Sequence, residues 1–390
     1  MASYNPNVLR EALRSRSLTP AALSERLGVS RQDVEDALEP EPEPRQALLN
    51  EIARELALPA FVFFMSEPPP LKDIITDFRS PTPRRTPKSR QTLESIQLAA
   101  AIQEAAGHLR AQPARELPRF EAAGRSEIDA FALAMRGALR ISVEDQAEAA
   151  DASAFYNICR KKIEDLGIFV IHESFPETDG SGFCLADPEY PVVVVNTRKQ
   201  TRGRRLFTLL HELAHVLMGE TGISDPFVRE NTIERRCNQF AGSFLVPRPY
   251  VAVLLQNCSV PRNPSIDDVA SLARRLKISQ QAAVLRLEEL DLVQAGSHSR
   301  WLAAIRNVGN PDYSSGGGGG GQTPQEKVKL AKYGFHFATA FDAPLRTGQI
   351  SEINLYRLSG LKPKFQRAYF DYAKSITDSQ LQALELDDEV

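Results

Sequence analysis

The stretch RRLFTLLHELAHVLMG, residues 204–219, decides how this chain is read. Leu206, Leu209, Leu210, Leu213, Val216 and Leu217 recur at three- and four-residue intervals, the period of a helix with a buried face. Inside it, His211, Glu212 and His215 spell His-Glu-x-x-His. Residues four apart share one face of a helix, so both imidazoles can reach a single metal ion. Glu212 projects beside them, placed to take a proton from an attacking water. A catalytic zinc site uses three protein ligands and keeps one position open, so one more ligand is required.

The following helical stretch, 228–245, offers it. Ile233, Cys237, Phe240, Ala241 and Phe244 form its buried side, and Glu234 lies beside that side. A carboxylate there is costly to bury unless it is paired or holds a metal. Glu234 is therefore the candidate third ligand. Glu230, one turn earlier, is its rival, and an ion pair of Glu234 with Arg235 or Arg236 is the structural alternative. Cys237 reads as buried core. His172 reads as a structural histidine, or else as a helper at the site.

Working outward, residues 168–172, 182–186 and 192–196 are strand candidates, and Val192 to Val195 is the strongest β signal in the chain. Segment 182–186 is expected at a sheet edge, where an extended peptide can add as a further strand. Most of the remainder has helical pattern, so the fold class is mainly α with a small β-sheet, α+β. The 390 residues, 42% hydrophobic and 25% charged, exclude wholesale disorder and allow two to four folded units. No apolar run approaches a membrane span; the longest, 59–65, is far too short. The first residues lack the apolar core of a secretory leader. The four cysteines contain no Cys-x-x-Cys pair, which fits reduced thiols and a cytoplasmic location.

Residues 1–66 have their own logic. Val8, Leu9, Ala12 and Leu13 make one apolar stripe. Thr19 caps a second helix that stops at Gly28, and Ser30 caps a third. This is helix-turn-helix spacing of the small repressor type. The charge opposes simple DNA binding: the segment holds seven Arg and no Lys against ten acidic residues. Arg31 and Gln32 are the candidate base readers on double-stranded DNA. Arg79, Arg84, Arg85, Lys88 and Arg90 of the following Pro/Arg-rich linker are candidate phosphate contacts. A protein-docking or dimerising module, giving a homodimer, is the competing reading.

The run of strand, VVVVN, FTLLHELAHVLM and ERRCNQFAGSFLVP resembles the ImmA/IrrE family of zinc metallo-endopeptidases. Members of that family commonly carry an N-terminal repressor-like helix-turn-helix. The resemblance implies a Zn2+ cofactor held by His211, His215 and Glu234, with Glu212 as the catalytic carboxylate. The chain's own pattern divides it into seven segments: a helix-turn-helix domain at 1–66, a linker at 67–92, a helical connector at 93–150 and a zincin-like metallopeptidase domain at 151–262. After these come a helix-turn-helix-like helical subdomain at 263–313, a glycine-rich tether at 314–323 and a C-terminal helical domain at 324–390. The implied activity is cleavage of a regulatory protein, repressor or antitoxin, in stress response or mobile-element control. The alternative is a DNA-binding transcription regulator or antitoxin whose peptidase fold senses a ligand or partner without cutting.

Overall fold

A computed structural model describes residues 4–67, 76–77, 86–224, 231–306, 309–312 and 324–376. The glycine tether, Glu230, and the linker cations Arg79, Arg84 and Arg85 lie outside the described residues.

The chain begins with four short helices, α1 (Pro6–Ser15), α2 (Pro20–Leu27), α3 (Arg31–Asp36) and α4 (Gln46–Glu55). Thr19 accepts from the Ala22 amide, and Ser30 and Asp33 form a reciprocal capping box, so the starts of α2 and α3 lie where the hydroxyl residues stand. Val8, Leu9, Leu23, Val34, Leu49, Ile52 and Phe63 bury against one another as a separate core. Within the linker, Thr76–Asp77 is a two-residue strand, β1. Helices α5 (Arg90–His108), α6 (Arg125–Ala138), α7 (Val143–Glu148) and α8 (Ala152–Glu164) follow.

Then come β2 (Phe169–Glu173), β3 (Gly182–Leu185), β4 (Val192–Asn196), α9 (Arg202–Met218), β5 (Gly222–Ser224) and α10 (Thr232–Leu245). Helices α11 (Val251–Leu254), α12 (Ile266–Leu276), α13 (Gln280–Glu289) and α14 (Ser297–Ile305) lead to α15 (Gln325–Arg346), α16 (Glu352–Ser359) and α17 (Pro363–Ser375). The protein is mostly helical with a small sheet, in keeping with an α+β fold.

The sheet runs β5-β3-β4-β2, with β1 added beyond β5. β2 pairs parallel to β4, whereas β3 is antiparallel to both β4 and β5. The sheet is covered on both faces, which is why the valine run does not alternate with polar residues. Val193 and Val195 enter one core with α8, α9 and α10. Val192 and Val194 enter the other with α5 and the C-terminal helices. Tyr333, Phe335, Phe337 and Phe341 belong to that second core. Trp301 packs with Val269, Val284 and Ile305. In α9 every residue from Leu206 to Leu217 is buried. A helix apolar nearly all round must sit inside, and each fully buried leucine contributes about 2 kcal/mol to keeping it there.

One expectation is corrected. β3 is not an edge strand: β5 lies along its open side, with Gly182 opposite Ser224, Phe183 opposite Ile223 and Cys184 opposite Gly222. The chain leaving α9 turns at Gly219 and runs straight back along β3. It is held there as Ala186 donates to Thr221 Oγ1 at 2.8 Å and the Cys184 thiol donates to the Glu220 carbonyl at 3.2 Å.

Candidate metal centre

Helix α9 presents His211 and His215 from successive turns, and α10 packs beside it to bring Glu234. His211 Nε2 lies 3.2 Å from His215 Nε2. The Glu234 carboxylate closes the triangle, with Oε2 3.2 Å from His211 Nε2 and Oε1 3.1 Å from His215 Nε2. The structure therefore brings together all three residues read from sequence as ligands. Each is essentially fully buried.

The donor set suits a divalent cation. Asn238 Oδ1 stands 2.9 Å from His211 Nδ1 and can only accept, so Nδ1 carries the proton and Nε2 keeps its lone pair. That lone pair faces a second imidazole nitrogen and a carboxylate. Burial pushes the Glu234 carboxyl up, but the two imidazoles more than offset this and hold it below its usual range. Two buried imidazole nitrogens and an anionic carboxylate thus converge on one point, and two histidines with one carboxylate are a zinc-type set.

Cys237, one turn after Glu234, also lies near. Its thiol and ligand atoms of His211 and His215 all fall within 4.8 Å of one another. Burial pushes this thiol far up, and Glu234 and Glu212 push in the same direction. A neutral thiol is a poor ligand beside an anionic carboxylate, so Glu234 is the better third donor. The sequence reading placed Cys237 in the core, where it is, and missed its closeness to the histidines.

Glu212 is wholly buried and stands against β3 and β5. Its Oε1 accepts a short hydrogen bond from Ser224 Oγ, whereas Oε2 has no hydrogen-bond partner among the described residues. Burial pushes its carboxyl up to about 8, against the pull of His215 and of the Ser224 hydroxyl, with Glu234 adding to the rise. The close fit needs glycine at position 182. A Cβ there would meet Thr208 Cγ2 and the Val194 carbonyl at 2.8 Å and Glu212 Oε1 at 3.0 Å.

The other candidates lie elsewhere. His172 is on β2, bonded to the Tyr156 hydroxyl and separated from β3 by β4. Arg31 and Gln32 are on α3, and each is engaged on its own helix. Arg31 donates to Glu35 and Gln32 to Asp36, both at 2.7 Å. The cavity next to α3 is lined by Asp33, Asp36, Glu43 and Glu51 with Arg45 as its cation. Lys88 is buried, and Arg90 pairs with Glu94.

Two histidines one turn apart, a glutamate from the next helix and a carboxylate beside them define a metallopeptidase type of centre. Comparison with known proteins agrees. Residues 163–288 match the family model described as Peptidase_M78, IrrE N-terminal-like domain. The chain is also 32% identical over 111 residues to the Radiation response metalloprotease IrrE of Deinococcus radiodurans. That match takes in 26% of this chain and 32% of the relative, so the chain spans about a third of the relative's length. The matched family segment runs from the end of α8 to α13 and contains the whole centre. No helix among the described residues is long and apolar enough to cross a membrane.

Proposed function

We propose that the chain is a zinc-dependent endopeptidase that hydrolyses a peptide bond in a regulatory protein of the repressor or antitoxin type, acting in transcriptional control. The observation that carries this reading is the triangle of His211, His215 and Glu234 with Glu212 beside it. Zinc, when bound by those three residues, polarises the scissile carbonyl and makes the attacking water acidic. Glu212 takes the water proton on Oε2, the oxygen without a partner, and passes it to the leaving amine nitrogen. Ser224 holds Oε1 and so fixes which oxygen works.

An extended peptide reaches this centre most directly by pairing with β3, the strand that passes Glu212. β5 stands in that place, and the ligands and Glu212 are buried behind it. Substrate entry on this reading requires β5 to leave β3. The N-terminal helices are proposed as a helix-turn-helix module of repressor type. Their acidic α3 face, with Arg31 and Gln32 already engaged, favours a protein partner over double-stranded DNA.

The test compares wild type with Glu212→Gln in cells, mapping new protein N-termini across the proteome. Wild type should create termini that the variant does not, while the variant keeps its zinc. Identical termini from both would reject the peptidase reading.

A further inference from the structure

A cavity of about 400 Å3 opens where α8 meets α15. Its walls come from four stretches distant in sequence, 112–115, 138–140, 162–167 and 335–339. Three of these supply a cation: Arg115, Arg140 and Lys162. None of the three side chains has an ion-pair or hydrogen-bond partner among the described residues.

The carboxylates in the same wall do not balance them, because each is already occupied. Glu164 accepts from Arg160 Nε at 2.8 Å and from the Phe335 amide at 2.5 Å, and Asp165 is held by Lys161. A fourth feature is His336. It lines the cavity, is 5% exposed, and its Nε2 has no hydrogen-bond partner. An unpartnered polar atom on a buried ring is costly unless something arrives to meet it.

Three uncompensated cations around one hollow repel one another, and an anion among them turns that repulsion into attraction. Guanidinium groups match the oxygens of phosphate, and Leu139, Leu166 and Phe335 add an apolar strip to the wall. The volume falls in the range of small-molecule sites, about 300–1,000 Å3. We infer that this cavity binds a small phosphorylated metabolite, with Arg115, Arg140 and Lys162 on the phosphate oxygens and the buried His336 ring as a further polar contact. The site is separate from the metal centre and does not depend on peptidase activity.

Calorimetric titration of the full chain tests it, using inorganic pyrophosphate and ADP as probes and adenosine as the uncharged control. Both phosphorylated probes should bind, more weakly as salt is raised, and adenosine should not. The exposed pair Arg115→Glu and Arg140→Glu, together, should weaken binding about tenfold or more with the circular dichroism spectrum unchanged. Failure of both probes to bind, adenosine binding equally well, or an unaltered affinity in the double variant would each overturn the inference. So would a duplex DNA fragment that binds more tightly than ADP and loses affinity in the same variant, because the cations would then be a nucleic-acid surface.

Discussion

Asn238 Oδ1 accepts from His211 Nδ1 at 2.9 Å, and the two residues come from neighbouring helices that both contribute to the metal centre. Asn238 lies one turn after Glu234, so α10 carries both the candidate third ligand and the side chain that bonds the imidazole facing it. Partners of this kind fix the tautomer of a ligand histidine. Asn238→Ala should weaken zinc binding about 10–100-fold while leaving the fold intact. Competition against a chromogenic chelator measures it, and unchanged affinity would show that the contact does not orient His211.

Displacement of β5 can be tested with one new cysteine. Gly222 is directly opposite the native Cys184 across an antiparallel pair. Such pairs place Cα atoms about 4.5–5.5 Å apart, within the reach of a disulfide. In oxidised Gly222→Cys, β5 should be tied to β3, and zinc should pass to a chelator more slowly than in the same protein after reduction. Equal release rates in the two states would mean that β5 does not guard the centre.

The end of α10 is held by a buried cation. Arg136 donates to Gln146 Oε1 at 2.8 Å and to the Phe244 carbonyl at 2.9 Å, and also reaches the Ile141 and Ser142 carbonyls. Its burial lowers its basicity, with nearby Cys159, Tyr250 and Asp145 opposing. Arg136→Ala leaves those acceptors buried without a donor, at a cost of about 3 kcal/mol or more. Urea denaturation should show a loss of that order, and a loss below about 1 kcal/mol would contradict the assigned role.

His336 gives the stability a definite pH dependence. Burial lowers its pKa from 6.5 to about 4, so the folded chain keeps a neutral ring where the unfolded chain takes up a proton. The contribution is fully present above pH 6.5 and is lost as pH falls through about 4. Wild type should lose stability between about pH 7 and about pH 4.5. His336→Phe, which can keep the ring contact with Phe169, should lose less over that interval. Equal losses would mean that His336 does not titrate in this way.

Much of the centre was legible because its chemistry is local. His211, Glu212 and His215 lie within one turn and a half of one helix, and the placing of Glu234 follows from the apolar period of the next. Asn238 was within reach of the same reasoning, since it stands four residues after Glu234 on the same helix face. What the sequence hid is long-range. Gly222, Ile223 and Ser224 are too few to show alternation, and their pairing with β3 joins residues some forty positions apart. The contact of Ser224 with Glu212 depends on that pairing. So does the correction that β3 lies inside the sheet. The aromatic residues of α15 are core, but nothing in their spacing says that the surface they cover is the far face of the sheet.

Metal content tests the central claim most directly. The purified chain, and Glu212→Gln alongside it, should each carry one zinc ion by elemental analysis, whereas His215→Ala and Glu234→Ala should carry little. A wild-type chain that takes up no divalent metal, or a Glu234→Ala variant that holds zinc as firmly as wild type, would contradict the account.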